Sequence, residues 1–146
     1  MDKLEYIPGD LVSVYVGVKK YIVEVICTEN ENEVLLYQIK FPNGEIQYAD
    51  KDNIVPISLT PEILEKNGWK KEAMSRGVSN RHLVYTKPDI EEYGYFPIYI
   101  EKGIGDEFDV YPFTDNNVCT QIAYIKYVHQ LQHLLFGLGL NSEMEL

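Results

Sequence analysis

The longest regular pattern of apolar and polar positions lies near the C-terminus. Between Ile125 and Leu140, apolar residues recur at steps of three and four, and polar residues share the opposite side. The apolar set is Val128, Leu131, Leu135 and Leu138, and the polar set is Lys126, His129, Gln130 and His133. This spacing predicts one amphipathic helix. Because so short a helix is marginal alone in water, we expect its apolar side to pack on a sheet.

The first half of the chain has the pattern of β-structure. From Pro8 to Leu59, short segments alternate between apolar and polar positions, and turn residues separate them. Asn43-Gly44 is the strongest turn signal, because both residues tolerate positive φ. Five short antiparallel strands usually close into a barrel, which removes exposed sheet edges. We therefore expect residues 1–59 to form a small five-stranded barrel.

A connecting segment and a second sheet are expected after the barrel. Thr60 suits the N-cap of a short helix, Pro61 its first position and Gly68 its end, so residues 60–80 are predicted to form a helix and a loop. Strands are then predicted at 81–86, 95–101, 107–113 and 118–122. An antiparallel sheet in residues 81–146 would cover the apolar side of the C-terminal helix. The predicted fold class is α+β, mostly β.

The first half also resembles SH3-like barrels, and among them Tudor-type modules. The resemblance rests on Gly9-Asp10, Lys20-Tyr21, Phe41 with Asn43-Gly44, and the segment 54–57. Tudor-type modules hold methylated lysine or arginine in an aromatic cage, where the cation lies over ring faces. The resemblance implies an aromatic ligand-binding surface formed by Tyr21, Phe41 and Tyr48. Lys20 and Pro42 depart from the family pattern, and ordinary packing of the same rings is the alternative.

The C-terminal helix and the connecting segment resemble a second group, which consists of uncharacterised small proteins from gut bacteria and their prophages. The residues that carry this resemblance are 125–136, 56–64 and Gly68-Trp69. The resemblance implies a product of a mobile element. It does not imply an activity.

The net charge and the N-terminal sequence disfavour several classes of function. A formal net charge of −10 and a pI near 4.7 disfavour binding to phosphate backbones. The N-terminus lacks the pattern of a signal peptide, and no uncharged apolar run approaches the roughly 18 residues of a membrane span. Cys27 and Cys119 are far apart in apolar segments, as is usual for free thiols. We therefore expect a cytoplasmic protein that binds neither nucleic acid nor membrane.

Candidate chemistry is sparse. His129 and His133 stand four residues apart on one helical face, which is a spacing that two metal ligands can use. Gln130 occupies the position of the glutamate in an HExxH motif, so hydrogen bonding of the two histidines to the sheet is the alternative. No nucleophile elbow or phosphate-binding glycine loop is present. The sequence therefore predicts no bound metal or cofactor and no enzyme.

Two functions remain open at this point. The first is a non-catalytic adaptor that binds another protein through an exposed patch of tyrosine and apolar residues. The second is an acidic, phage-type inhibitor that mimics nucleic acid towards a host enzyme. A metal-dependent enzyme would require His129, His133 and an acidic residue to converge in a pocket.

Overall fold

The computed structural model describes residues 5–31, 34–76, 80–87, 98–103, 105–112 and 123–146. The chain divides into two compact units. The first unit comprises Met1–Ile57 and Tyr127–Met144, and the second comprises Ser58–Lys126 and Glu145–Leu146. In the described residues, no helix is both long and apolar enough to cross a membrane. The strand predicted at 118–122, and Cys119 with it, lies outside the described residues.

The first unit contains a five-stranded antiparallel sheet. Its strands are β1 (Leu11–Val16), β2 (Lys19–Glu31), β3 (Val34–Lys40), β4 (Ile46–Asp50) and β5 (Ile54–Pro56). They lie in the order β4-β3-β2-β1-β5, so β2 is central and β1 lies between β2 and β5 and pairs with both. Val12, Val14, Val23 and Val25 alternate onto the buried side of the sheet, where Tyr6, Tyr37 and Ile39 complete the core.

The five strands expected in this half are confirmed, but the closed barrel is not found. Among the described residues, the edge strands β4 and β5 do not pair with each other, so the sheet stays open. β5 has only three residues and ends at Pro56, which lacks a backbone N–H and cannot extend the ladder. The predicted hairpin turn at Asn43-Gly44 is present, and Gly44 has the positive φ of 89° that this turn requires.

The second unit contains a helix and another five-stranded antiparallel sheet. The helix α1 (Pro61–Lys66) is capped as predicted, because Thr60 Oγ1 accepts a hydrogen bond of 3.2 Å from Ile63 N. The strands are β6 (Lys70–Arg76), β7 (Asn80–Thr86), β8 (Ile98–Lys102), β9 (Phe108–Pro112) and β10 (Ala123–Ile125). Their order, β10-β9-β8-β7-β6, follows the chain from one edge to the other.

The segment after α1 differs from the predicted loop, because β6 occupies most of it. This strand pairs with β7 from Lys70 opposite Thr86 to Arg76 opposite Asn80. Its sequence lacks apolar alternation, so the strand is defined by backbone pairing with the next strand in the chain. The chain as a whole is α+β and mostly β, as the pattern indicated.

The C-terminal helix α2 (Val128–Gly137) belongs to the first unit, whereas the prediction placed it on the sheet of residues 81–146. Val128, Leu131 and Leu135 are buried as expected, but the exposed fraction of Leu138 is 45%. His129 and Gln132 are buried as well. The apolar pattern identified the buried residues of the helix, and it held no information about the unit to which the helix belongs.

Candidate functional site

Polar side chains of α2 meet the turn that precedes β1. Gly9 gives this turn a positive φ of 96°, and Asp10 follows directly before the strand. Four side chains meet here, and we call them the helix–turn cluster: Asp10, His129, Gln132 and His133. All four lie in the first unit. The cluster holds the helix to the first strand of the sheet.

Asp10 and His133 form a close pair within the cluster. Nε2 of His133 lies 2.7 Å from Oδ2 and 2.9 Å from Oδ1 of Asp10, and Ile7 N donates to Oδ2 at 2.8 Å. Asp10 is almost completely buried, whereas 32% of the His133 side chain is exposed. Burial raises the pKa of Asp10, and the hydrogen bonds from Ile7 and His133 oppose that rise. Both hydrogen bonds therefore favour the ionised carboxylate, whereas burial disfavours it.

His129 lies deeper than His133 and is surrounded by rings. Its ring centroid is 5.0 Å from that of Tyr6, 5.8 Å from that of Tyr127 and 5.5 Å from that of His133. Its exposed fraction is 4%, and its buried Nδ1 has no hydrogen-bond partner among the residues that the structure describes. Burial lowers the pKa of His129 to about 4, and the nearby His133 lowers it further. The imidazole is therefore neutral at pH 7.

Gln132 closes the cluster with its amide. Its Oε1 accepts from Leu11 N at 2.9 Å, and its Nε2 donates to Gly9 O at 3.0 Å and to Ser142 O at 3.3 Å. The side chain of Gln132 thus forms hydrogen bonds with the first backbone N–H of β1, with the preceding turn and with the segment after α2. A buried glutamine on the helix was not expected, although its position one residue after Leu131 was the available signal.

Replacing Gln132 with leucine is expected to lower the free energy of unfolding by about 1 to 2 kcal/mol, because Leu11 N and Gly9 O would lose their partners. Urea unfolding followed by circular dichroism measures this loss. The matched control is Gln47→Leu, since Gln47 is exposed and its side-chain amide bonds, among the described residues, only to Glu45. Equal stability of both variants would mean that the amide of Gln132 contributes nothing.

The two histidines whose spacing suits metal ligands are thus brought together with an acidic residue. In the described part of the chain, however, no group of three His, Cys, Asp or Glu residues is arranged to hold a metal ion. Nε2 of His133 is directed at Asp10, the residue that precedes β1. His133 therefore hydrogen-bonds to the residue at the start of the sheet. For His133, this is the alternative to metal binding that was given above.

The three aromatic candidates do not enclose one space. The rings of Tyr21 and Phe41 meet edge to face with centroids 5.7 Å apart, and Phe41 belongs to the buried core. Tyr48 lies opposite Gln38 in the β3–β4 ladder and accepts a hydrogen bond from Gln38 Nε2 at 2.8 Å. Gln38 and the core residue Ile39 point to opposite sides of β3. Tyr48 is therefore on the side of the sheet away from Phe41.

An exposed hairpin is the feature that the sequence did not reveal. Residues 15–22 are all exposed, and we call them the hairpin arm. The apolar members, with their exposed fractions, are Tyr15 (51%), Val16 (49%), Val18 (97%), Tyr21 (38%) and Ile22 (45%). The arm extends beyond its neighbours in the sheet, because β5 pairs with β1 only as far as Val14 and β3 meets β2 only from Glu24 onward. Apolar residues on both sides of Gly17 were the available signal.

A shallow recess of about 240 Å³ adjoins the arm where β3 ends. Its walls mix apolar side chains with one carboxylate and one ammonium group. The lining residues are Leu11, Ile22, Val23, Glu24, Lys40, Phe41 and Pro42. Since Ile22 belongs to both features, the recess and the arm form one surface.

The chain thus has two candidate sites, which differ in accessibility. Comparison with protein-family models, with curated proteins and with solved structures gave no match to this chain. Geometry therefore has to distinguish the sites. Three of the four side chains in the helix–turn cluster are buried, whereas every residue of the hairpin arm is exposed. The arm is the better placed of the two to contact another molecule.

Proposed function

We propose that this chain is a non-catalytic, cytoplasmic protein of mobile-element type that binds another protein through its hairpin arm. The observation that carries the proposal is the exposure of five apolar side chains in eight consecutive residues. Exposed apolar residues are common singly, but five on both faces and the tip of one short hairpin favour a segment that a partner covers. Two of the five are tyrosines, which are enriched in protein interfaces.

The first unit is proposed to be an open version of an SH3-like barrel. Its five strands, the consecutive pairing of β1 to β4 and the return of β5 to β1 support this proposal. The mobile-element origin rests on the resemblance of the segments 125–136 and 56–64 described above. Neither point identifies the partner, so the arm remains the basis of the function.

Affinity capture from a bacterial lysate tests the proposal. We expect the wild-type chain to retain a specific protein, and we expect Val18→Ser/Ile22→Ser to lose it, because the two changes remove apolar contact area from the arm. The matched control is Phe136→Ser/Tyr124→Ser, which removes two exposed apolar side chains elsewhere. The control should retain the partner as well as the wild type does.

Two results would contradict this function. One is that no protein is retained by the wild-type chain in repeated experiments. The other is that the retained protein binds the Val18→Ser/Ile22→Ser variant equally well. A retained protein that is basic, is released by moderate salt and is displaced by nucleic acid would instead favour the acidic inhibitor.

A further inference from the structure

We infer that the hairpin arm and the adjoining recess bind an acidic protein segment that carries apolar side chains. This inference rests on the proposed function and specifies the chemistry of the partner. The first observation that supports it is the charge of the arm. The arm contains Lys19 and Lys20 and no acidic residue, although the chain as a whole has a net charge of −10.

The lysines around the arm form no ion pair with any residue that the structure describes. In the part of the chain that the structure describes, Lys19, Lys20 and Lys40 take part in no ion pair. All three are exposed. An acidic segment on the side of Ile22 would meet the ammonium groups of Lys20 and Lys40, with Glu24 as the one carboxylate lining the recess. Charge complementarity therefore favours an acidic partner over a basic one.

The spacing of charged and apolar groups suits an extended segment. Lys20 and Ile22 lie on the same side of β2, two residues and therefore about 7 Å apart. Lys40 lies opposite Glu24 in the β2–β3 ladder and lines the recess together with Ile22. An extended segment repeats its own side chains at the same interval of about 7 Å. Its apolar side chain can enter the recess while acidic neighbours approach Lys20 and Lys40.

The backbone of β2 offers a second means of recognition. The ladder between β2 and β3 runs from Glu24 opposite Lys40, so residues 19–23 of β2 continue beyond the end of β3. On that side the described residues contain no strand that pairs with residues 19–23. An exposed edge of this kind can accept a partner strand through main-chain hydrogen bonds, while neighbouring side chains set the specificity.

An anionic membrane is the other surface that a hairpin with lysines and apolar residues could contact. The net charge of −10 opposes that interaction, because the whole chain would be repelled by anionic lipid. An extended protein segment approaches the arm alone and meets its local charge. The observations therefore favour the protein segment.

Fluorescence anisotropy with defined peptides tests the inference. The probe is a labelled peptide in which glutamate alternates with valine, and two further peptides replace glutamate with lysine or valine with serine. We expect the glutamate–valine peptide to bind at least tenfold more tightly than either of the others. Lys20→Glu/Lys40→Glu should weaken its binding by about tenfold or more, since attraction becomes repulsion at two positions.

The matched control is Lys70→Glu/Lys71→Glu, which makes the same change of net charge at two exposed lysines of β6. It should bind the probe as the wild type does, and circular dichroism should show unchanged melting for both variants. Equal binding of all three peptides, or equal weakening in both variants, would overturn the inference. Binding to phosphatidylserine vesicles without binding to any peptide would also overturn it.

The outcome is distinguishable from that of the proposed function. If the captured protein depends on Val18 and Ile22 but binds Lys20→Glu/Lys40→Glu normally, the protein-binding function stands and the acidic partner is excluded. If the captured protein is insensitive to all of these variants, both proposals fail.

Discussion

Replacement of Leu131 by alanine is expected to lower the free energy of unfolding by about 2 to 5 kcal/mol. Leu131 is completely buried and lies next to Gln132, whose side chain bonds to the first residue of β1. The truncation would leave a cavity on the buried side of α2. Urea unfolding followed by far-ultraviolet circular dichroism gives the change in free energy.

The matched control for this change is Phe136→Ala in the same helix. Because 69% of Phe136 is exposed, its truncation should change stability by no more than about 0.5 kcal/mol. A Leu131→Ala variant as stable as the wild type would show that α2 is not part of the core. A large loss in Phe136→Ala would show that this exposed ring is covered in solution.

The second large expected effect is a loss of folding stability at acidic pH, and its source is His129. Its pKa is about 4 in the folded protein, below the ordinary value of 6.5, because the buried site excludes the charged form. Between these two values the unfolded chain binds a proton that the folded chain does not. The free energy of unfolding therefore has its full contribution from the neutral His129 above pH 6.5. This contribution is lost as the pH falls towards 4. The shift corresponds to a loss of about 3 kcal/mol.

His129→Phe isolates this contribution. Phenylalanine keeps a ring beside Tyr6 and Tyr127 and removes the buried Nδ1 that lacks a partner, so we expect no loss of stability at pH 7. As pH falls from 6.5 to 4, the variant should become more stable than the wild type by about 3 kcal/mol. Unfolding in urea at a series of pH values measures the difference between the two proteins.

Asp10 acts with the opposite sign in the same experiment. Its pKa is raised in the folded protein, so the folded state binds a proton before the unfolded state does, and this partly offsets the loss as pH falls. Because both proteins contain Asp10, its contribution largely cancels in the comparison. Parallel stability profiles for the wild type and His129→Phe would contradict the assignment of the pH dependence to His129.

The local elements were predictable because their signals are local. Thr60, Pro61 and Gly68 define α1 through capping and backbone preference, and all three lie where the sequence placed them. Asn43-Gly44 likewise fixes the turn between β3 and β4. The segment of β6 carries no comparable signal, because seven mostly polar residues become a strand only when β7 pairs with them.

The candidate sites show the same division. His129 and His133 were identified as a pair from their spacing, but only the fold brought Asp10, more than a hundred residues earlier, within hydrogen-bond distance of His133. The aromatic residues are separated for a similar reason. Tyr48 pairs with Gln38 of β3, which points away from the core, whereas Phe41 belongs to the core. The hairpin arm was not foreseen, since its exposure depends on where β3 and β5 stop.

The sequence alone determined that the chain is α+β and mostly β, that five strands occupy its first half, and that a helix near the C-terminus has one apolar face. Periodicity and turn chemistry encode these properties over a few residues. The tertiary structure decided that α2 belongs to the first unit, that the sheet stays open, and that residues 15–22 are exposed. These outcomes depend on pairing and hydrogen bonds between segments far apart in the chain, which no local pattern specifies.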